Sequence, residues 1–303
     1  MKRFTPHVAI AAVVVLGATT LGTWSASATQ DAAAQQVAAH RDKSRDTSVT
    51  IYLTRHGQTI LNTLERVQGW TDSPLVVGTA ADGSALDARI LPQTVGKNLR
   101  AREGAFDAVY SADMKRHYET ATYILKGAGQ KLAITQDARL REINFGKYEG
   151  AENKELWTEA VEHMGYTIDH DADATAAADD TGQNGGWQTM QLKALTDQGL
   201  DAMMTAIKEV AEEPTEAGIV LPAEDCTDVS ARMMAALNDI AKKAVKQHDK
   251  RVLVVSSGLS ISCAIDYLGT TITSGISNVA VSELQYTNGT WTVNSVGDTS
   301  YRQ

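Results

Sequence analysis

Long apolar runs are missing from all but the N-terminus of this 303-residue chain, positive charge is in deficit, and there are only two cysteines. Past residue 28 no segment is long and apolar enough for a membrane-spanning helix, which takes about 20 residues. The expectation is therefore a chain with no stable membrane insertion once its N-terminus has been removed. The 28 Lys and Arg stand against 37 Asp and Glu, a formal charge of −9, which argues against nucleic acid or an anionic membrane surface as a partner. Neither Cys226 nor Cys263 has a Cys or His at metal-ligand spacing. The acidic run 169–180 carries Ala174 where a calcium loop needs Gly and Asp180 where it prefers Glu, so it reads as a solvated loop. No metal or cofactor is implied, and no internal repeat is present.

The N-terminus has the one apolar run. Lys2 and Arg3 precede residues 8–21, and Ala26-Ser27-Ala28 supplies small residues for a peptidase, so residues 1–28 read as a signal peptide cleaved near Ala28 and the chain as secreted or extracytoplasmic. Residues 29–47, rich in Ala, Gln and Asp without an apolar face, read as a flexible tether. Without the leader, 26 Lys and Arg face 37 Asp and Glu, a charge of −11. An extracellular setting permits a Cys226–Cys263 disulfide, while the apolar helical surroundings of Cys263 suit two buried thiols equally well.

Residues 48–303 read as one α/β domain. The β-branched apolar run 49–53 and the strand beginning at Arg251, apolar over 252–255, suit central strands of a parallel sheet covered on both faces, and 106–111 reads as another strand. Helices follow at 114–125, 225–247 and 259–268, the second from apolar residues at three- and four-residue steps (Val229, Met233, Leu237, Ile240, Ala244). Residues 281–286 and 291–296 flank Asn288-Gly289 as a terminal hairpin. The alternation indicates a three-layer α/β/α fold with a mostly parallel central sheet, in which both central strands end at the sheet edge where such folds place ligands. Residues 76–89 look like a surface loop. Residues 151–222 look like an inserted cap, helical over 153–164 and 192–210 and loose over 169–186, with Trp157, Tyr166 and Trp187 as substrate contacts or cap core.

The first central strand ends in Arg55-His56-Gly57-Gln58-Thr59-Ile60-Leu61-Asn62, and three further blocks follow in order: residues 68–75, beginning Gln68-Gly69-Trp70; residues 110–116, ending Lys115-Arg116; and residues 140–150, beginning Leu140-Arg141-Glu142. Together they resemble the histidine phosphatase superfamily in its phosphoglycerate-mutase-like branch. The resemblance implies a phosphomonoester hydrolase acting on a small phosphate ester. His56 would be the nucleophile forming a phosphohistidine, Arg55 and Arg116 would grip the phosphoryl oxygens, and Glu142 would protonate the leaving oxygen. Asn62, Gln68, Gly69 and Gly258 would line the phosphate or substrate pocket. The chemistry suits these types: a neutral imidazole splits one displacement into two, and guanidinium forks match the transferring group's charged oxygens.

One position departs. The family ends its second central strand in Ser-His-Gly, and here it is Ser256-Ser257-Gly258. Losing one preorganised donor to a developing anion costs on the order of 10² to 10³ in rate, so the resemblance implies a slow hydrolase, with a non-catalytic phosphate-binding module as the alternative and a phosphomutase as a third reading. No nearby residue is expected to restore the imidazole: His248 precedes the strand, and His117, next to Arg116 on a helix, should point another way.

Overall fold

The computed structural model describes residues 48–179, 182 and 184–303; the signal-peptide and tether readings lie outside the described residues. In chain order the elements are β1 (Ser48–Arg55), α1 (Ile60–Thr63), β2 (Val77–Thr79), β3 (Ala85–Asp87), α2 (Ile90–Arg102), β4 (Ala108–Ser111), α3 (Lys115–Gly127), β5 (Ile134–Gln136), α4 (Asn153–His163), β6 (Thr167–Ile168), β7 (Asn184–Gly185), α5 (Trp187–Ala211), α6 (Cys226–Gln247), β8 (Arg251–Ser256), α7 (Gly258–Tyr267), β9 (Val281–Thr287) and β10 (Thr290–Asp298).

Six strands form the main sheet in the order β10-β9-β1-β8-β4-β5. The four from β1 to β5 pair in parallel, and β9 and β10 add antiparallel to the free side of β1. Side chains alternate along each central strand, so Val252 and Val254 enter one apolar core with residues of α4, α5, α6 and α7, while Leu253 and Val255 enter a second with residues of α2 and α3. This makes the three layers of the α/β reading, and it explains why both central strands are predominantly apolar on both faces. The hairpin turn narrows to Asn288-Gly289, both at positive φ, which is the two-residue turn that matches strand twist.

Three expectations change. Residues 76–89, read as a loop, form the exposed hairpin β2–β3, whose turn uses Gly83 at φ 83°; three-residue strands with few β-branched side chains leave too short an alternation to read. Helix α2 was not anticipated, because Pro92 and Gly96 lie inside it. Gly96 is there for packing: a Cβ at that position would run into the backbone of Ile124 on α3. The second helix of the 151–222 segment begins at Trp187 rather than 192 and is broken at Gly199, where φ is 87°.

Cys226, the first residue of α6, is disulfide-bonded to Cys263 of α7, with Cα atoms 5.2 Å apart and a sequence separation of 37. This decides between the two cysteine readings in favour of the bridge. Closing a loop of that length lowers the entropy of the unfolded chain by an amount worth about 4 kcal/mol. Reduction without denaturant is therefore expected to lower the urea midpoint and leave a folded protein, checked by urea unfolding with and without dithiothreitol.

Candidate active site

In the parallel register of β1 and β8, Arg55 lies opposite Ser256, and the His56 amide continues the ladder to the Ser256 carbonyl at 2.9 Å. The two strand ends thus deliver Arg55-His56 and Ser256-Ser257-Gly258 side by side at the carboxyl edge of the sheet. The His56 ring is fully buried, and its Nδ1 lies 2.8 Å from the Gly57 carbonyl oxygen. A carbonyl only accepts, so Nδ1 carries the proton and Nε2 keeps its lone pair. Burial, and then the charges of Arg116 and Arg55, hold the His56 pKa well below the usual imidazole value. The result is a neutral imidazole with a free nucleophilic nitrogen. Asn278 Nδ2 donates to the His56 carbonyl at 2.9 Å, and the Gly57 amide donates to Thr120 Oγ1 of α3 at 2.9 Å, which ties the turn at His56 to α3 and to the segment before β9.

His56 opens onto a cavity of about 230 Å³ lined by Arg55, Asn62, Gln68, Glu142 and Gly258 among others. Arg55 Nη1 donates to the Ile276 carbonyl at 2.6 Å, and Gly258 is small enough for the Arg55 guanidinium to lie against it. Asn62 both lines the cavity and closes the capping box of α1 with Thr59. Thr59 and Ser73 both donate to Gln68 Oε1, at 2.8 and 2.7 Å, which leaves the Gln68 NH₂ as its remaining polar group. Trp157 lines the cavity, whereas Tyr166 and Trp187 belong to the core of the 151–222 segment.

Arg116, Gly69 and Ser257 are not among the residues that line the cavity. Arg116 is fully buried and donates to the Gly69 and Thr71 carbonyls at 2.6 and 3.0 Å and to Asp72 at 3.2 Å. Gly69 admits no side chain, since a Cβ would collide with Ile143, Phe145 and Glu149. Glu149 in turn accepts from the amides of Gly69, Trp70, Thr71 and Phe145, lacing the 68–72 loop to the 142–149 segment.

Glu142 is held at the N-terminus of α7. Its Oε1 accepts from the Ser260 and Ile143 amides at 2.8 and 3.0 Å and its Oε2 from the Leu259 amide at 3.2 Å, a favourable place for negative charge. Sequence reasoning missed what fixes its backbone: Arg232 of α6 donates to the carbonyls of Arg139, Arg141 and Glu142 while paired to Glu224. An Arg on an otherwise amphipathic helix gives no signal of this; only the fold brings it under Glu142.

The expectation for His117 is overturned. Its ring is buried, lies edge-on to the His56 ring with centroids 5.2 Å apart and planes at 85°, and its Nε2 is 2.6 Å from Ser257 Oγ. The buried face of α3 runs through His117, Thr120, Ala121, Ile124 and Leu125, a spacing that places residue 117 inward; that periodicity is the signal that was available. Among the described residues six buried side-chain polar atoms lack a partner, and four of them, Arg55 Nε, Gln68 Nε2, Arg116 Nε and His117 Nδ1, belong to this site. Buried nitrogens left unpaired cost about 1–3 kcal/mol each, and unpaired guanidinium and amide N–H groups within one site suit an oxyanion.

The two buried histidines make stability depend on pH. Burial, then neighbouring cationic charge, holds His117 as well as His56 well below the usual pKa. Below about pH 6.5 the unfolded chain binds protons at both positions that the folded protein does not, so stability is lost as pH falls. The slope approaches about 1.4 kcal/mol per pH unit for each histidine. Urea unfolding between pH 7.5 and 5 is expected to show this slope, with His117→Asn removing its share.

A family model described as histidine phosphatase superfamily (branch 1) matches residues 51–184 and 182–299. A protein of Salmonella paratyphi A named probable phosphoglycerate mutase GpmB is 25% identical over 261 residues, covering 83% of this chain and 94% of its own. The crystal structure of phosphoglycerate mutase from Bacillus anthracis superposes with a TM-score of 0.65 at 32% identity, over 86% of this chain and 97% of that one. A mycobacterial glucosyl-3-phosphoglycerate phosphatase, 18% identical with a TM-score of 0.51 over 83% and 100% of the two chains, shares the fold. With the matched segments spanning nearly all of the described domain, the chain belongs to the histidine phosphatase superfamily, a family of phosphoryl-transfer enzymes.

Proposed function

We propose that the protein is a secreted phosphomonoester hydrolase that works through a phosphohistidine on His56. The observation that carries this reading is the His56 ring itself, with Nδ1 tied to the Gly57 carbonyl, Nε2 left with its lone pair, and the charges of Arg116 and Arg55 near enough to favour the neutral ring. Attack by Nε2 on phosphorus forms the N–P bond as the ester O–P bond breaks, and Glu142 gives the leaving oxygen its proton. Water then takes the phosphoryl group, losing its proton to Glu142, and inorganic phosphate departs. Arg55 grips the transferring oxygens, and Arg116 adds positive charge. The Cys226–Cys263 bridge supports an oxidising compartment, in keeping with the signal-peptide reading.

The cavity adjoins a second of about 210 Å³, lined by Leu192, Leu195, Leu200 and Met203 of α5, and Trp157, Leu259, Ser262 and Gly275 border both. This favours esters whose alcohol carries apolar surface. The likeness to phosphoglycerate mutases supports a second reading, a phosphomutase. Phosphate release from a panel of small and apolar esters, run beside an assay for interconversion of 2- and 3-phosphoglycerate, separates the two. Hydrolysis without interconversion supports the proposal, and interconversion without net phosphate release sinks it.

A further inference from the structure

Ser257 stands just past the end of β8. Ser257 Oγ is 2.6 Å from Nε2 of His117, so a larger side chain at position 257 would meet that ring. The ring in turn lies edge-on to His56, and both His117 and Ser257 are fully buried. The other ring nitrogen, Nδ1, is buried without a partner. We propose that His117, held by Ser257, supplies the second imidazole of the phosphoryl-transfer site, so that this donor comes from α3 and not from the end of β8. The inference rests on the phosphohistidine reading of His56.

The His117–Ser257 hydrogen bond admits two arrangements, and only one of them offers an anion a donor. A neutral imidazole carries one proton, and a hydroxyl can serve as donor or acceptor. With Ser257 O–H donating to Nε2, the proton resides on Nδ1, and His117 presents a buried N–H whose partner is still to come. A phosphoryl group in line with His56 Nε2 brings three charged oxygens beside that ring. The opposite arrangement would leave Nδ1 as a buried acceptor that an anion cannot satisfy. Burial and the charge of Arg116 keep His117 neutral, so it acts as a fixed donor and not as an acid. Ser257 is on this account a positioning residue: its hydroxyl sets the tautomer, and its small size leaves room for the ring.

The test compares turnover of p-nitrophenyl phosphate and affinity for orthovanadate, a stand-in for the five-coordinate phosphoryl group, across five variants. His117→Ala is expected to lower kcat by about 10² to 10³ with a much smaller change in KM, and to weaken orthovanadate at least tenfold. Ser257→Ala should lower kcat by less, about tenfold. Ser257→His alone should not raise turnover, because His117 fills the space; combined with His117→Ala it should recover most of what His117→Ala loses. In the unmutated protein, ¹⁵N-histidine NMR should show His117 protonated at Nδ1 and its signal moving when orthovanadate is added, a readout that does not depend on any variant folding. His117→Ala within twofold of the parent in both kcat and orthovanadate affinity, or a His117 signal unmoved by orthovanadate, overturns the proposal. A fifth variant, His56→Ala, tests the underlying reading: equal hydrolysis with and without His56 defeats that reading, while the orthovanadate comparison still decides the role of His117.

Discussion

Replacing Glu142 with Gln is expected to lower turnover by about 10²- to 10⁴-fold on esters of ordinary alcohols, and far less on p-nitrophenyl phosphate. Glu142 is fixed in place by three amide donors and by the clamp of Arg232 on its backbone, so Gln, with the same shape and one carbonyl oxygen, keeps most of those contacts. What it loses is the proton. Oε2, with one longer bond at 3.2 Å, is the oxygen with capacity to carry it. A nitrophenolate departs without protonation, and an alkoxide does not; the dependence on leaving group therefore separates loss of an acid from loss of structure. A uniform drop across all esters would assign Glu142 a structural role instead.

The second large effect is expected at the nucleophile. His56→Ala should reduce hydrolysis to the uncatalysed background on every ester, because neither arginine nor Glu142 can form the intermediate. The pH profile of the parent protein carries the same information in milder form. Since His56 is held neutral well below the usual imidazole value, kcat/KM should not fall as pH drops through 6.5. A fall centred there would mean that His56 titrates like an exposed histidine, which its burial near Arg55 and Arg116 contradicts.

Much of this site was legible in the sequence for a definable reason. The predominantly apolar runs that end at Arg55 and Ser256 mark strands buried on both faces, and parallel pairing then sets their ends side by side. The Asn-Gly hairpin and the regular apolar steps of α6 are likewise local signals that tertiary structure did not override. What stayed hidden depends on contacts distant in sequence. Arg116 reads as a phosphate ligand yet spends its donors on Gly69, Thr71 and Asp72, and Arg232 secures Glu142 from a helix about 90 residues away. Adjacency to Arg116 suggests that His117 points elsewhere, whereas the three- and four-residue steps of α3 put both side chains on its buried side. Long arginine side chains reach sideways, so neighbouring helix positions can serve one site.

Trapping the intermediate tests the central claim most directly. Rapid acid-free quenching of the protein with ³²P-labelled ester, followed by peptide mapping, should find one acid-labile phosphate on His56, formed and lost at rates no slower than turnover and absent from His56→Ala. Steady hydrolysis with no labelled histidine, or with label on another residue that persists in His56→Ala, would contradict the account.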